Sequence, residues 1–140
     1  MRIAVIRQKF VNYGGAEQFV SGYTNQLASM GHAIHIFANQ WSPSNHPNIK
    51  IHSVKAIKRN SFLRVFSFAW FALQSIRSES FDIVQSHERI WRQDIYRAGD
   101  GCHREWLERR SHYLPFIKRF FISFSLFHQL ILGLEKRIFE

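Results

Sequence analysis

Between Arg2 and Asn39 the chain spells out one supersecondary unit. "RIAVIR" (Arg2 to Arg7) is short, apolar and β-branched, the composition of a strand buried on both faces. A loop follows and closes on two adjacent glycines, Gly14 and Gly15. From Ala16 to Met30 the apolar residues Phe19, Val20, Tyr23, Leu27 and Met30 recur at helical spacing. Gly31 ends that helix, since a glycine takes the left-handed conformation a helix terminus uses. "HAIHIFAN" (His32 to Asn39) is a second strand. A strand, helix and strand in roughly 35 residues have the length of a parallel crossover. A chain that opens this way is committed to a sheet covered by helices on its faces.

The remainder repeats the alternation. Trp41 to Asn48 is a turn-rich loop with Pro43 and Pro47. "IKIHSV" (Ile49 to Val54) alternates, as a more exposed strand does, and Asn60 to Glu79 reads as a helix apolar on most sides. "FDIVQS" (Phe81 to Ser86) is a buried strand ending at His87, and "DIYRAG" (Asp94 to Gly99) a further strand ending at "GDGCH". Arg104 to Glu140 is helical in pattern and broken near Pro115. The expectation is one α/β domain over residues 1–140, a Rossmann-like, doubly wound, mostly parallel sheet. In such sheets ligands lie beyond the carboxyl ends of the strands. Three polar or glycine-rich stretches fall there: Asn12 to Gly15, Ser86 to Arg89 and Gly99 to His103.

Composition narrows the function. With 140 residues, 46% of them hydrophobic, the chain has enough for a core and is not disordered. Nineteen basic against 10 acidic residues give +9, which calls for an anionic partner: nucleic acid, a phosphorylated small molecule or an acidic lipid surface. The 14 phenylalanines beside so much arginine favour the lipid surface. Phe116 to Leu134, the nearest approach to a membrane span, carries Lys118, Arg119, His128 and Gln129 and reads as interfacial or buried. No secretion signal is expected at the N-terminus. Cys102 stands alone, so no intrachain disulfide forms, and it reads as a small buried residue. Eight histidines without H-E-x-x-H or a second cysteine give no expectation of a metal site. The G-x-G-x-x-G and P-loop patterns are both absent. A basic nucleic-acid-binding α/β module and another phosphate-binding Rossmann-like enzyme are the alternative readings. The first lacks any RRM, zinc or helix-turn-helix signature.

Gly14 and Gly15 admit two explanations: phosphate oxygens approaching the bare N–H groups of the first helix, or a tight turn that needs positive φ. Here the sequence resembles a known family. Strand, loop, "GGAEQ" (Gly14 to Gln18), a helix ending in Gly31-His32, and a strand are similar to the N-terminal half of retaining GT-B glycosyltransferases of family 4, where GGAER is common. "SMGHAIHIFANQW" (Ser29 to Trp41) and "FDIVQSH" (Phe81 to His87) resemble further stretches of that family. "DIYRAGDGCHREWLERR" (Asp94 to Arg110) and "LEKRIFE" (Leu134 to Glu140) are closer to one branch, the lipopolysaccharide core glucosyltransferases.

The resemblance implies the acceptor-binding half of a hexosyltransferase, with a UDP- or GDP-linked sugar as co-substrate and a glycolipid acceptor. The donor-binding domain with its E-x7-E motif is expected to be absent from this sequence; Glu135 and Glu140 are too close together to form the motif. The chain is therefore expected to be inactive alone. Gly14 and Gly15 would face the donor diphosphate. Asp100, between Gly99 and Gly101, would be the base or electrostatic stabiliser; the alternative is a cap on the helix that begins near Cys102. His87 would bind acceptor or act as base, against a role as a hydrogen-bonded scaffold residue. His103 and Arg104 would contact acceptor phosphate or sugar, against a solvated helix start. Glu17 is read as complementing the helix dipole.

Two basic aromatic stretches suit a membrane interface. Lys50 to Arg77 holds six basic residues and no acid, interleaved with Phe62, Phe66, Phe68, Trp70 and Phe71. Arg109, Arg110, Lys118 and Arg119 lead into "FFISFSLFHQLIL". The expected location is peripheral, at the cytoplasmic membrane face. For the helix near Phe66 the larger expected role is core packing, and Phe120, Phe121 and Phe124 are alternatively a surface that the second domain covers.

Overall fold

The computed structural model describes residues 1–10, 15–44, 46–99, 101–115, 122 and 125–139. Among the described residues seven strands and four helices follow in the order β1 (Arg2–Ile6), β2 (Lys9–Phe10), α1 (Gly15–Ser29), β3 (Ala33–Ala38), β4 (Gln40–Trp41), β5 (Ile49–Ser53), α2 (Ser61–Arg77), β6 (Ile83–Ser86), β7 (Ile95–Tyr96), α3 (His103–His112) and α4 (Leu126–Phe139). Five strands form one all-parallel sheet in the order β5-β3-β1-β6-β7. The Rossmann-like, doubly wound α/β expectation holds.

The alternation along β1 explains why it reads as unbroken apolar. Ala4 and Ile6 point to the face covered by α2, where they meet Phe37, Phe68, Ala69, Ala72 and Ile76. Ile3 and Val5 point to the opposite face, with Val20 and Ala28 of α1 and Ile34 and Ile36 of β3. A strand with helices on both faces has no polar side to show. Gly31 takes φ +88 and stops α1 where expected. Asn60 caps α2, its side-chain oxygen accepting the Leu63 N–H at 2.7 Å.

Phe19 and Met30 keep the helical spacing of the apolar residues in α1 but are exposed; only the Val20, Tyr23 and Leu27 part of that pattern meets the sheet. In α2 the core stripe is Phe68, Ala69, Ala72, Leu73 and Ile76, whereas Phe66, Trp70 and Phe71 are exposed. Phe62, Phe66 and Trp70 stack along that outer face at ring separations of 6.0 and 6.5 Å. Finally, β2 and β4 form a two-stranded parallel ribbon that sequence pattern gave no sign of. It extends β1 and β3 past a break at Arg7 and Gln8, with the Asn39 N–H donating to the Gln8 carbonyl.

Successive crossovers carry the chain from β1 outward to β3 and β5, and α2 then returns it to the other side of β1 for β6. The order reverses between β1 and β6, and the crevice beyond their carboxyl ends is where open α/β sheets hold ligands. Because every strand is parallel, the loops after β1, β6 and β7 all leave at that one rim. Among the described residues no helix is long and apolar enough to cross a membrane.

Candidate active site at the carboxyl rim of the sheet

The loop after β1 returns as α1, whose first residue is Gly15. Gly15 has no positive φ, so the backbone conformation does not demand glycine there. A Cβ built on it meets nothing within 4 Å, which leaves open space before the helix N-terminus. The tight-turn explanation, which needs positive φ, therefore does not hold at Gly15. Gly14 lies outside the described residues.

Arg7, directly after β1, is a residue the sequence reading passed over. Its guanidinium is buried between two acids, 3.3 Å from Glu17 in the first turn of α1 and 3.7 Å from Glu88 after β6. Glu88 also accepts the Gln8 N–H at 3.0 Å, so one carboxylate ties the ends of β1 and β6. The Arg7 Nε, itself buried, makes no hydrogen bond. The Glu17 backbone N–H, and then Arg7, hold the Glu17 carboxyl below its ordinary range against the opposing effect of burial. That fits the expected dipole role and adds an ion pair to it. Arg97, directly after β7, lies over the Phe19 ring at 4.2 Å and so bridges β7 to α1. The signal for both arginines was their place at strand ends, legible only once the strands are laid side by side.

His87 is buried at the end of β6, with its N–H donating to the Ile6 carbonyl. Its Nε2 lies 3.0 Å from the Tyr23 hydroxyl and 3.3 Å from the Gln85 side-chain nitrogen. Burial pushes the Tyr23 phenol well above its ordinary pKa, so Tyr23 keeps its proton. Both contacts meet at Nε2, and the Tyr23 contact ties the end of β6 to α1; the ring tautomer decides which group donates.

The third loop is fixed by a long-range ion pair. Arg89 Nε donates to Glu135 of α4 at 2.9 Å, and its Nη2 to the Gly101 carbonyl at 2.9 Å. Glu135, almost fully buried, also accepts the His103 and Arg104 N–H groups at 2.7 and 3.3 Å. Burial raises its pKa, but the His103 N–H, Arg89 and the Arg104 N–H together leave it below the ordinary value. Cys102, the N-cap residue of α3, makes no side-chain capping bond. The capping carboxylate for His103 and Arg104 is Glu135, brought from another helix. Asp100 lies outside the described residues; its neighbours Gly99 and Gly101 stand on the rim, and Gly101 takes φ +73, as a tight turn beside it requires.

Cys102 was expected to be buried and is exposed, because it sits at the mouth of α3 and not in the core. It lines a cleft of about 620 Å³ with Arg104, Leu132, Glu135, Lys136 and Phe139. Arg104 is thus exposed to that cleft. His103 turns instead to α4: its Nε2 lies 2.8 Å from His128 Nδ1, and its ring stacks on Trp106. Burial first, and then each neighbour's charge, lowers both pKa values; His128 is the charge acting on His103, and Arg110 the one acting on His128. Folding therefore favours the neutral rings, and that stability is present above the ordinary histidine pKa of 6.5 and lost as pH falls through the lower folded values. The expected result is a thermal midpoint that drops between pH 7 and pH 5, and drops less in His128→Gln, as read by circular dichroism.

The sequence comparison decides the family: residues 13–131 match the profile of Glycosyltransferase Family 4. The chain belongs to that family. Among solved structures, it superposes with a TM-score of 0.80 on WaaG, a glycosyltransferase involved in lipopolysaccharide biosynthesis, at 17% sequence identity. The match covers 99% of this chain and 35% of that one, so the family 4 chain described here spans about a third of its structural neighbour's length. At that identity the likeness shows a shared fold. No curated protein matches the chain. Arg109, Arg110 and the rest of α3 lie away from the core; α3 has no buried residue. Lys118 and Arg119 fall outside the described residues.

Proposed function

We propose that the chain forms the acceptor-binding half of a retaining glycosyltransferase. It moves a hexose from a UDP- or GDP-linked sugar to a membrane glycolipid, a lipopolysaccharide core or one like it, and acts only with a donor-binding domain. The observation that carries the reading is the convergence, at the β1/β6 switch point of a family 4 chain, of the open Gly15 helix start, the Arg7 cluster and the turn held by Arg89 and Glu135. The helix start at Gly15, with Arg7 and Arg97 after the neighbouring strands, suits the pyrophosphate and the charge that develops on it as the sugar leaves, and Gly14 would face the same group. Asp100 orients the acceptor hydroxyl and takes its proton, or stabilises positive charge on the sugar ring. His87 acts as a positioning residue and Arg104 as an acceptor contact. Incubating the chain together with a donor-binding half, a nucleotide hexose and a glycolipid, and following the glycolipid mass, tests the reading. A gain of one hexose supports it; no transfer to any envelope glycolipid contradicts it.

Docking on an anionic membrane at the cytoplasmic face is the second part of the proposal. It is supported by α3, which presents Arg104, Arg109, Arg110 and His112 with Trp106 exposed and Tyr113 almost fully so. Arg110 lies over the Trp106 ring at 4.8 Å, which holds a cation beside an interfacial aromatic. Each basic residue near an acidic leaflet contributes about 1 kcal/mol. Arg109→Ala with Arg110→Ala should therefore weaken co-sedimentation with phosphatidylglycerol vesicles by roughly thirtyfold. Retention of DNA but not of acidic vesicles would favour the nucleic-acid alternative.

A further inference from the structure

On the α2 face of the sheet, beside the edge strand, three side chains from separate elements converge. His35 of β3, His52 of β5 and Glu79, just after α2, each bring a ligand atom within 4.8 Å of the others. Among the described residues no other three such groups come together. His35 Nδ1 lies 2.9 Å from His52 Nε2 and 3.7 Å from Glu79 Oε2. Ligand atoms on a tetrahedral zinc, with bonds of about 2.0–2.1 Å, stand roughly 3.3 Å apart. Two of the three separations bracket that value and the third lies within 4.8 Å, so the Glu79 and His52 side chains would have to close in on the ion.

We propose that His35, His52 and Glu79 form a zinc site that ties the edge strand β5 and the α2–β6 turn to β3. Two imidazoles and a carboxylate are a donor set zinc accepts, with water completing four-coordination from the half-exposed side of Glu79. Without the cation, one imidazole N–H donates to the other ring. With it, that proton moves to the far nitrogen of the same ring and both facing lone pairs bind the metal; two neutral rings release no net proton. Burial, reinforced for His35 by the charge of His52, lowers both pKa values and keeps the rings in the neutral, ligating form. Arg2 and Lys50 face the group and oppose a cation. Arg2 already donates to Glu79 Oε2 at 2.7 Å, and Asp82 accepts the Arg2 backbone N–H at 2.6 Å. A carboxylate has a second oxygen, so Arg2 can remain as the outer partner that orients the ligand. The spacing 35, 52 and 79 follows no zinc motif, so motif reading leads to no expectation of a metal.

The test is titration of the chain with Zn²⁺ alone, by calorimetry and by thermal midpoint. The expected result is one ion per chain and a raised midpoint. His52→Gln and Glu79→Gln should each weaken binding about tenfold or more. His128→Gln, at the separate His103–His128 contact, should leave binding unchanged. Glu79 is partly exposed in a turn, so its variant keeps the fold should His52→Gln fail to. Absence of saturable binding, or binding that responds to His128→Gln and not to Glu79→Gln, overturns the proposal.

Discussion

Asp100→Ala in the enzyme assembled with its donor-binding half is expected to lower hexose transfer roughly a hundred- to ten-thousandfold, with the fold unchanged. The size follows from what a positioned carboxylate contributes when it moves a proton or stabilises developing charge. The position follows from its flanks. Gly99 donates its N–H to the Arg97 carbonyl, and the Gly101 carbonyl accepts from Arg89, so the two flanking residues are anchored at the carboxyl rim. A cap role for the carboxylate is less needed than the sequence suggested, since the His103 and Arg104 N–H groups already bond Glu135. Asp100→Asn isolates hydroxyl orientation: it keeps an orienting group and removes both the base and the charge. Transfer within a few-fold of the native rate in Asp100→Ala, measured by product mass, would remove this residue from the mechanism.

Glu135→Ala is expected to cost about 3–5 kcal/mol of folding stability, measured by urea denaturation. The change leaves Arg89, whose side chain is only 15% exposed, as an uncompensated charge, and leaves two helix N–H groups without their acceptor. The double variant Arg89→Met with Glu135→Leu should lose less than Glu135→Ala alone, because it removes both charges together. A loss below about 1 kcal/mol in Glu135→Ala would show that water already satisfies these groups. The same carboxylate makes stability depend on acid: its pKa is depressed in the fold, so its contribution is full above the ordinary value of 4.5 and is lost as pH falls through the lower folded value.

What the sequence made legible is what short-range pattern encodes. The buried run of β1, the glycine stop after α1, the alternation in β5 and the strand–helix order all follow from neighbours a few residues apart. Parallel topology then places the three candidate loops at one rim without further information. What stayed hidden depends on partners distant in sequence. Arg89 and Glu135 are 46 residues apart, and nothing near either announces the other. Glu135 counted in the sequence only as an acid too near Glu140 to form a donor motif. Arg7 looked like the polar end of a strand until β6 brought Glu88 beside it. Phe19 obeyed the helical period but faces the rim under Arg97, because the apolar period of a helix does not say where the sheet it covers ends. The β2–β4 ribbon is two residues wide, too short for any periodic signal.

Chemical-shift mapping of the ¹⁵N-labelled chain with UDP and GDP tests the placement of the site most directly. The expected footprint covers Arg7 to Phe10, Gly14 to Gln18, His87 to Arg89 and Arg97 to Arg104. Amides at the other rim, Ala33, Asn48 and Asp82 among them, should not move. A footprint centred on those amides instead, or a nucleotide that shifts the two rims alike, would contradict the account.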